Sequence, residues 1–201
     1  MEKEKDKRGK MKTSTIVWIV VGVIALFLVL LVIGAYNNFI GLNQAVSGSW
    51  SEVENQYQRQ SDLIPNLVSS VSSQVSVETK FVKDVIAART AWQSASTELA
   101  KDTAGVQMNS GVSAFVNAVA ESYPQLLASE GYTALRDELA GTQNRITTAR
   151  GRYIENIQKF NTATMRFPSN IIAGLFGFSE KEYYKTNSLE TPDLGTGQLP
   201  Q

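Results

Sequence analysis

The side chains of this sequence that could do chemistry are carboxylates, arginines and tyrosines, because its 201 residues include no histidine and no cysteine. That absence removes thiolate and imidazole metal ligands, cysteine nucleophiles, and every triad that uses histidine as its base. Glu121, Glu138 and Arg150 fall in stretches that read as helical, and a carboxylate held against a guanidinium could bind a polar ligand or move a proton. The simpler reading, and the expectation here, is inter-helix pairs or solvated surface charge. A di-metal carboxylate centre needs Glu-x-x-His pairs, so no metal is expected. Arg89 stands one turn before Trp92, where stacking on the indole would contribute ~0.5–2 kcal/mol; the expectation is instead an arginine at the edge of an apolar stripe, reaching out to water. Trp50, Tyr57, Tyr123, Tyr132 and Tyr153 read as core fillers rather than a ligand cage. There is no glycine-rich phosphate loop or nucleophile elbow, and no basic run with interleaved aromatics for nucleic acid. No catalytic residue, cofactor or nucleic-acid partner is expected, and the chain reads as a non-enzyme.

The elements that would position these residues begin with an apolar run. No residue from Thr13 to Ser51 is charged, and Ile16 to Ala35 is almost wholly aliphatic or aromatic. At about 1.5 Å per residue such a run matches a hydrocarbon core roughly 30 Å thick. Only a helix satisfies its own backbone there as a single segment, and Trp18 and Tyr36 stand where interfacial aromatics belong. A signal peptide has a shorter apolar region, ~7–15 residues, so the segment is read as an uncleaved anchor. Residues 1–12 carry six basic groups against three acids within a chain of zero net charge. No further Lys or Arg follows until Arg59, so the positive-inside bias places the N-terminus in the cytoplasm and the rest outside it.

Beyond the anchor, apolar residues recur at steps of three and four, the mark of amphipathic helices. Four runs are read: Phe39 to Tyr57, Ile64 to Trp92, Val112 to Leu127, and Tyr132 to Phe160. Asp62 to Pro65 reads as the break between the first two, since Asp caps helices and Pro suits a first turn but not an interior. Asp102 to Gly105 reads as the break before the third, and Ser129 to Gly131 as the break before the fourth. The Ser-rich piece Val68 to Val75 is a poor helix former that keeps the helical step. The expectation is all-α: a transmembrane helix (13–36) after a basic head (1–12), then an antiparallel four-helix bundle (37–166). An apolar segment (167–178) follows, and a tail (179–201) too polar to build a core.

Several blocks together carry a resemblance. Asp62-Leu63-Ile64-Pro65-Asn66-Leu67-Val68, then Ala87-Ala88-Arg89, Val119 to Pro124 with Glu121 and Tyr123, Arg145 to Arg150 with Tyr153, Asn161, and Phe167-Pro168 through Phe178 are similar to the LemA family of bacterial membrane proteins. The resemblance runs from about Tyr36 to Phe178. It implies an N-terminally anchored, antiparallel helical bundle with no established molecular activity, in which these residues are structural. The chain departs from the family pattern at Gln60-Ser61, where an arginine is usual, and at Gln143 and Ile154, where Glu and Asn are common.

Phe167 to Phe178 is twelve residues without a charge and too short to span a bilayer. If the first bundle helix rises from the membrane, the fourth returns this segment to it. Ile171, Ile172, Leu175, Phe176 and Phe178 are therefore expected either to enter the membrane interface or to close the end of the bundle. The functional expectation is a binding or scaffolding protein of the bacterial cell membrane. Its partners would be the lipid bilayer and a second copy or another envelope protein; lipid binding or membrane remodelling is the alternative, and carboxylate enzymology a remote third.

Overall fold

The computed structural model describes residues 13–75 and 79–182. These are helical throughout, with no strand among them: α1 (Thr13–Ser72), α2 (Thr79–Ser94), α3 (Glu98–Ser122), a 3-10 turn (Pro124–Ala128), α4 (Glu130–Met165) and the short α5 (Ser169–Phe176). The basic head and residues 183–201 lie outside the described residues, whereas Lys181, expected in the tail, is held against α4.

Among the described residues none covers the first part of α1. Ile16 through Ile33 are mostly exposed, Trp18 by 72%, and the stretch is long and apolar enough to cross a membrane. Burial begins at Val32 and Ala35, which pack on the core cluster. From Val46 the helix carries a strict four-three repeat of buried positions: Val46, Trp50, Val53, Tyr57, Gln60, Ile64, Leu67 and Val71. The same step runs along α4 through Leu139, Gln143, Ile146, Arg150, Tyr153, Ile157, Phe160 and Thr164. An average spacing of 3.5 keeps one seam facing a partner helix, and each fully buried aliphatic side chain on it contributes about 1.5–3 kcal/mol.

α1 and α4 are accordingly the principal pair, as are α2 and α3. Contacts between α1 and α4 pair their residues in opposite order: Phe39 meets Phe160, ring centroids 6.2 Å apart, Glu52 meets Arg152, and Arg59 meets Glu138. α3 and α4 do the same, through Asp102 with Arg150, Ser113 with Gln143, and Val116 with Tyr132.

Two of the expected breaks are not there. Asp62 to Pro65 lies inside α1, and Asp102 to Gly105 lies inside α3, which starts at Glu98 with the Thr97 hydroxyl accepting from the Ala100 N–H. The break that does occur falls in the Ser-rich piece. α1 ends at Ser72, where Ser70 and Ser73 hydroxyls donate to the carbonyls of Leu67 and Ser70. Such bonds compete with helix continuation. The expected break at Ser129 is present, preceded by the turn that Pro124 opens.

Candidate functional site

Pro65 cannot donate to the carbonyl four residues back, so the helix around it leaves Ser61 oxygen without its usual N–H. Arg89, on α2, supplies one: its Nε donates to the Ser61 carbonyl at 2.8 Å. Two blocks of the sequence, Asp62 to Val68 and Ala87 to Arg89, are thus halves of one device. The sequence reading placed the arginine at the edge of an apolar stripe rather than on Trp92; it is half-buried there, with its Nε committed to α1. The cation over the Trp92 ring is Lys101, 5.5 Å from its centroid, and it also pairs with Glu54. Within the block itself Ile64 and Leu67 are buried, Leu63 is half-buried, and Asp62, Pro65 and Asn66 are exposed. Asp62 accepts from Gln58 at 2.8 Å.

Arg150 is buried on the α4 seam, but its partner is neither Glu121 nor Glu138. Its Nη2 meets Asp102 Oδ2 at 2.8 Å, with both side chains less than a tenth exposed. Asp102 went unrecognised because Asp, Thr and Gly read locally as helix breakers; the signal was the helical step continuing back from Val112 through Met108 and Gly105 to Asp102, all buried. Burial pushes the Asp102 carboxyl up, and the Arg150 charge works against that. Tyr57 closes over this pair. A Cβ on Gly105 would sit 2.5 Å from the Tyr57 ring, so only glycine lets α3 approach there. Burial, then the Asp102 charge, raises the Tyr57 hydroxyl far above its ordinary value. That hydroxyl makes no bond of good geometry, and neither do the buried Trp92 Nε1 and both amide atoms of Gln60.

Glu138 lies at the surface, held between Arg59 at 2.7 Å and Arg145 at 3.1 Å. Those two guanidiniums lower its carboxyl, against a desolvation contribution of opposite sign that is the largest single one. Glu121 is exposed in the last turn of α3. An open groove of about 240 Å³ between α1 and α4 is lined by Glu52, Gln56, Asn144, Arg145, Thr148 and Arg152; neither Asp102 nor Arg150 reaches it. Tyr153 is buried beside Trp50, centroids 5.4 Å apart, and donates to Glu98 at 3.1 Å. Tyr123 ends α3 and Pro124 opens the turn after it. Among the described residues no group of three carboxylates could hold a metal ion. Asp102 and Arg150 are the buried charged residues among those described, and they pair with each other.

The other end of the molecule is aromatic. Phe178 stacks on Phe39 at 4.9 Å and approaches Phe160 and Tyr36, and Phe176 lies 4.9 Å from Tyr36. Gly177, at φ 76°, makes the turn that delivers Phe178, whose N–H bonds the Ala173 carbonyl at 2.9 Å. Asn161 then fastens the strap beyond α5: its amide donates to and accepts from the Lys181 backbone, both at 2.8 Å. Of the five residues expected either to enter the membrane interface or to close the end of the bundle, Ile172 and Phe178 pack into the bundle. Phe167, Ile171, Leu175 and Phe176 are exposed, and Pro168 leads into α5.

A protein-family model described as the LemA family matches residues 49–194. The chain belongs to the LemA family. The match takes in the Pro65–Arg89 device, the Asp102–Arg150 pair and the whole of α5. Of the positions at which the sequence departs from the resemblance, Gln60, Ser61 and Gln143 are buried and Ile154 is half-buried. Comparison with curated proteins finds no match.

Proposed function

We propose that this LemA-family chain is a membrane-tethered antiparallel four-helix bundle that acts as a non-enzymatic binding or scaffolding protein at the bacterial cell membrane. Its N-terminus lies in the cytoplasm and its bundle outside, following the six basic residues before the span. The observation that carries the reading is the continuity of α1. One helix of 60 residues is lipid-like on every face at its start and a bundle seam at its end. No linker separates anchor from domain, so the bundle is presented at a fixed height and direction, as a docking surface needs.

Placement of the charged residues supports a binding role over catalysis. Glu138, the acid that an enzymatic reading would use, is a surface group bridging two arginines, and the buried Asp102 is committed to Arg150. The test is photo-crosslinking of the full chain in its membrane from exposed bundle positions such as Ala114, Asn144 and Gln158. A scaffold gives the same discrete protein adduct, a second copy included, from one face and not another. Recovery of lipid alone from every position would sink it.

A further inference from the structure

The segment 167–178 contains no charge, and its exposed residues are ordered. Phe167, Ile171 and Leu175 recur every four residues and are 76%, 62% and 75% exposed, with Phe176 beside them. The opposite side of α5 is committed, since Ile172 and Ala173 are buried in the core cluster. Height along α1 gives the outward stripe its meaning. Phe176 and Phe178 lie against Tyr36, the first residue beyond the apolar run, with ring centroids 4.9 and 5.9 Å apart. α5 thus lies level with the end of the span, where hydrocarbon gives way to headgroups. The charges resume at Arg166 on one side and Glu180 on the other, both exposed.

We propose that the outward residues of α5, Ile171 and Leu175, together with Phe167 in the turn before it, are inserted into the interfacial region of the leaflet from which α1 emerges, as a second attachment of the bundle to the bilayer. The proposal rests on α1 being the span. An eight-residue helix cannot cross a membrane, but one with an apolar face can lie in its surface with that face among the upper acyl carbons. Continuity with the apolar surface of α1 favours lipid as the occupant over a protein. A single helix is free to rotate about its own axis; a second contact off that axis fixes which face of the bundle points where.

The chain has no cysteine, so single cysteines can report on the full-length protein in phosphatidylcholine–phosphatidylglycerol vesicles. A polarity-sensitive fluorophore is placed at Ile171→Cys or Leu175→Cys, with Ile24→Cys as the mid-span control and Leu127→Cys as the distal one. Leu127 is exposed beyond the far end of α4, a helix of 36 residues, about 50 Å away at 1.5 Å per residue. The labels at 171 and 175 should be blue-shifted and quenched severalfold more than that at 127 by lipids carrying a nitroxide near the headgroup. Water-like emission at 171 and 175 with deep quenching at 24 overturns the second contact and leaves the anchor standing. Labels shielded from aqueous iodide yet untouched by nitroxide lipid also overturn it, because protein then covers the stripe. Loss of lipid quenching at 24 as well would overturn the anchor itself.

Discussion

In an Arg89→Met variant the Ser61 carbonyl keeps its place inside α1 but loses its donor, and Pro65 cannot replace it. A lost bond of this kind, from a charged donor to a buried acceptor, costs about 1.5–3 kcal/mol. Pro65→Ala returns a backbone N–H at the right position, so in that background the same Arg89 substitution should cost less than half as much. A double-mutant cycle by urea denaturation of the full chain in detergent measures the coupling; equal losses in both backgrounds would refute the device. The buried ion pair makes a second residue-scale prediction. Asp102 has its pKa raised by burial, so the folded chain holds that proton more tightly than the unfolded chain. This contribution to stability is full below the ordinary aspartate value of 3.8 and lost as pH rises through the folded value. Arg150→Met removes the charge that opposes the rise. It should cost about 3–5 kcal/mol near neutral pH and progressively less toward acid, whereas a loss independent of pH would contradict the assignment. Arg150, Tyr153 and Arg89 were legible in the sequence as residues of interest. Their partners were not, because Ser61 acts through its backbone and Asp102 sits among residues of low helix propensity.

At the scale of elements, local chemistry located two breaks that tertiary contacts repair. Pro65 would end an isolated helix, and it survives inside α1 because α2 satisfies the freed carbonyl. Gly105 reads as a breaker, yet it serves close packing inside α3, where the Tyr57 ring occupies the space of a Cβ. The actual end of α1 lies in serines whose valines kept the helical step, so periodicity alone carried the helix too far. The apolar members of the seams on α1 and α4 were readable, but the α1 repeat was read as broken at Asp62 to Pro65, and the buried polar members Gln60, Gln143 and Arg150 carry no hydrophobic signal that would place them on a seam. Two alanine substitutions separate these roles. Gly151 is exposed, and a Cβ added there would meet nothing within 4 Å, so Gly151→Ala should stabilise by up to about 1 kcal/mol through helix propensity. Gly105→Ala gains the same propensity but forces α3 off Tyr57, and should lose about 1–3 kcal/mol net. Thermal melts of the two variants should move in opposite directions; a shared direction would mean that the Tyr57 contact is not tight.

For the whole molecule, a helix long and apolar enough to cross a membrane and the helical class were plain from the sequence, because a charge-free apolar run and three-four periodicity are strong signals that need no tertiary information. How anchor and bundle are joined was less plain, since it depends on the absence of any break from Thr13 to Ser72. That continuity underlies the whole functional account: it sets the height of the bundle, brings α5 level with the membrane surface, and makes the exterior a presented face. Pulsed electron spin resonance on the full chain in vesicles, with spin labels at Gly22→Cys and Gly48→Cys, tests it most directly, since both positions have open space around them. An unbroken helix places the two backbones about 39 Å apart and predicts one narrow distance distribution near that value. A broad distribution, or one centred well below it, would show a hinge between span and bundle and contradict the account.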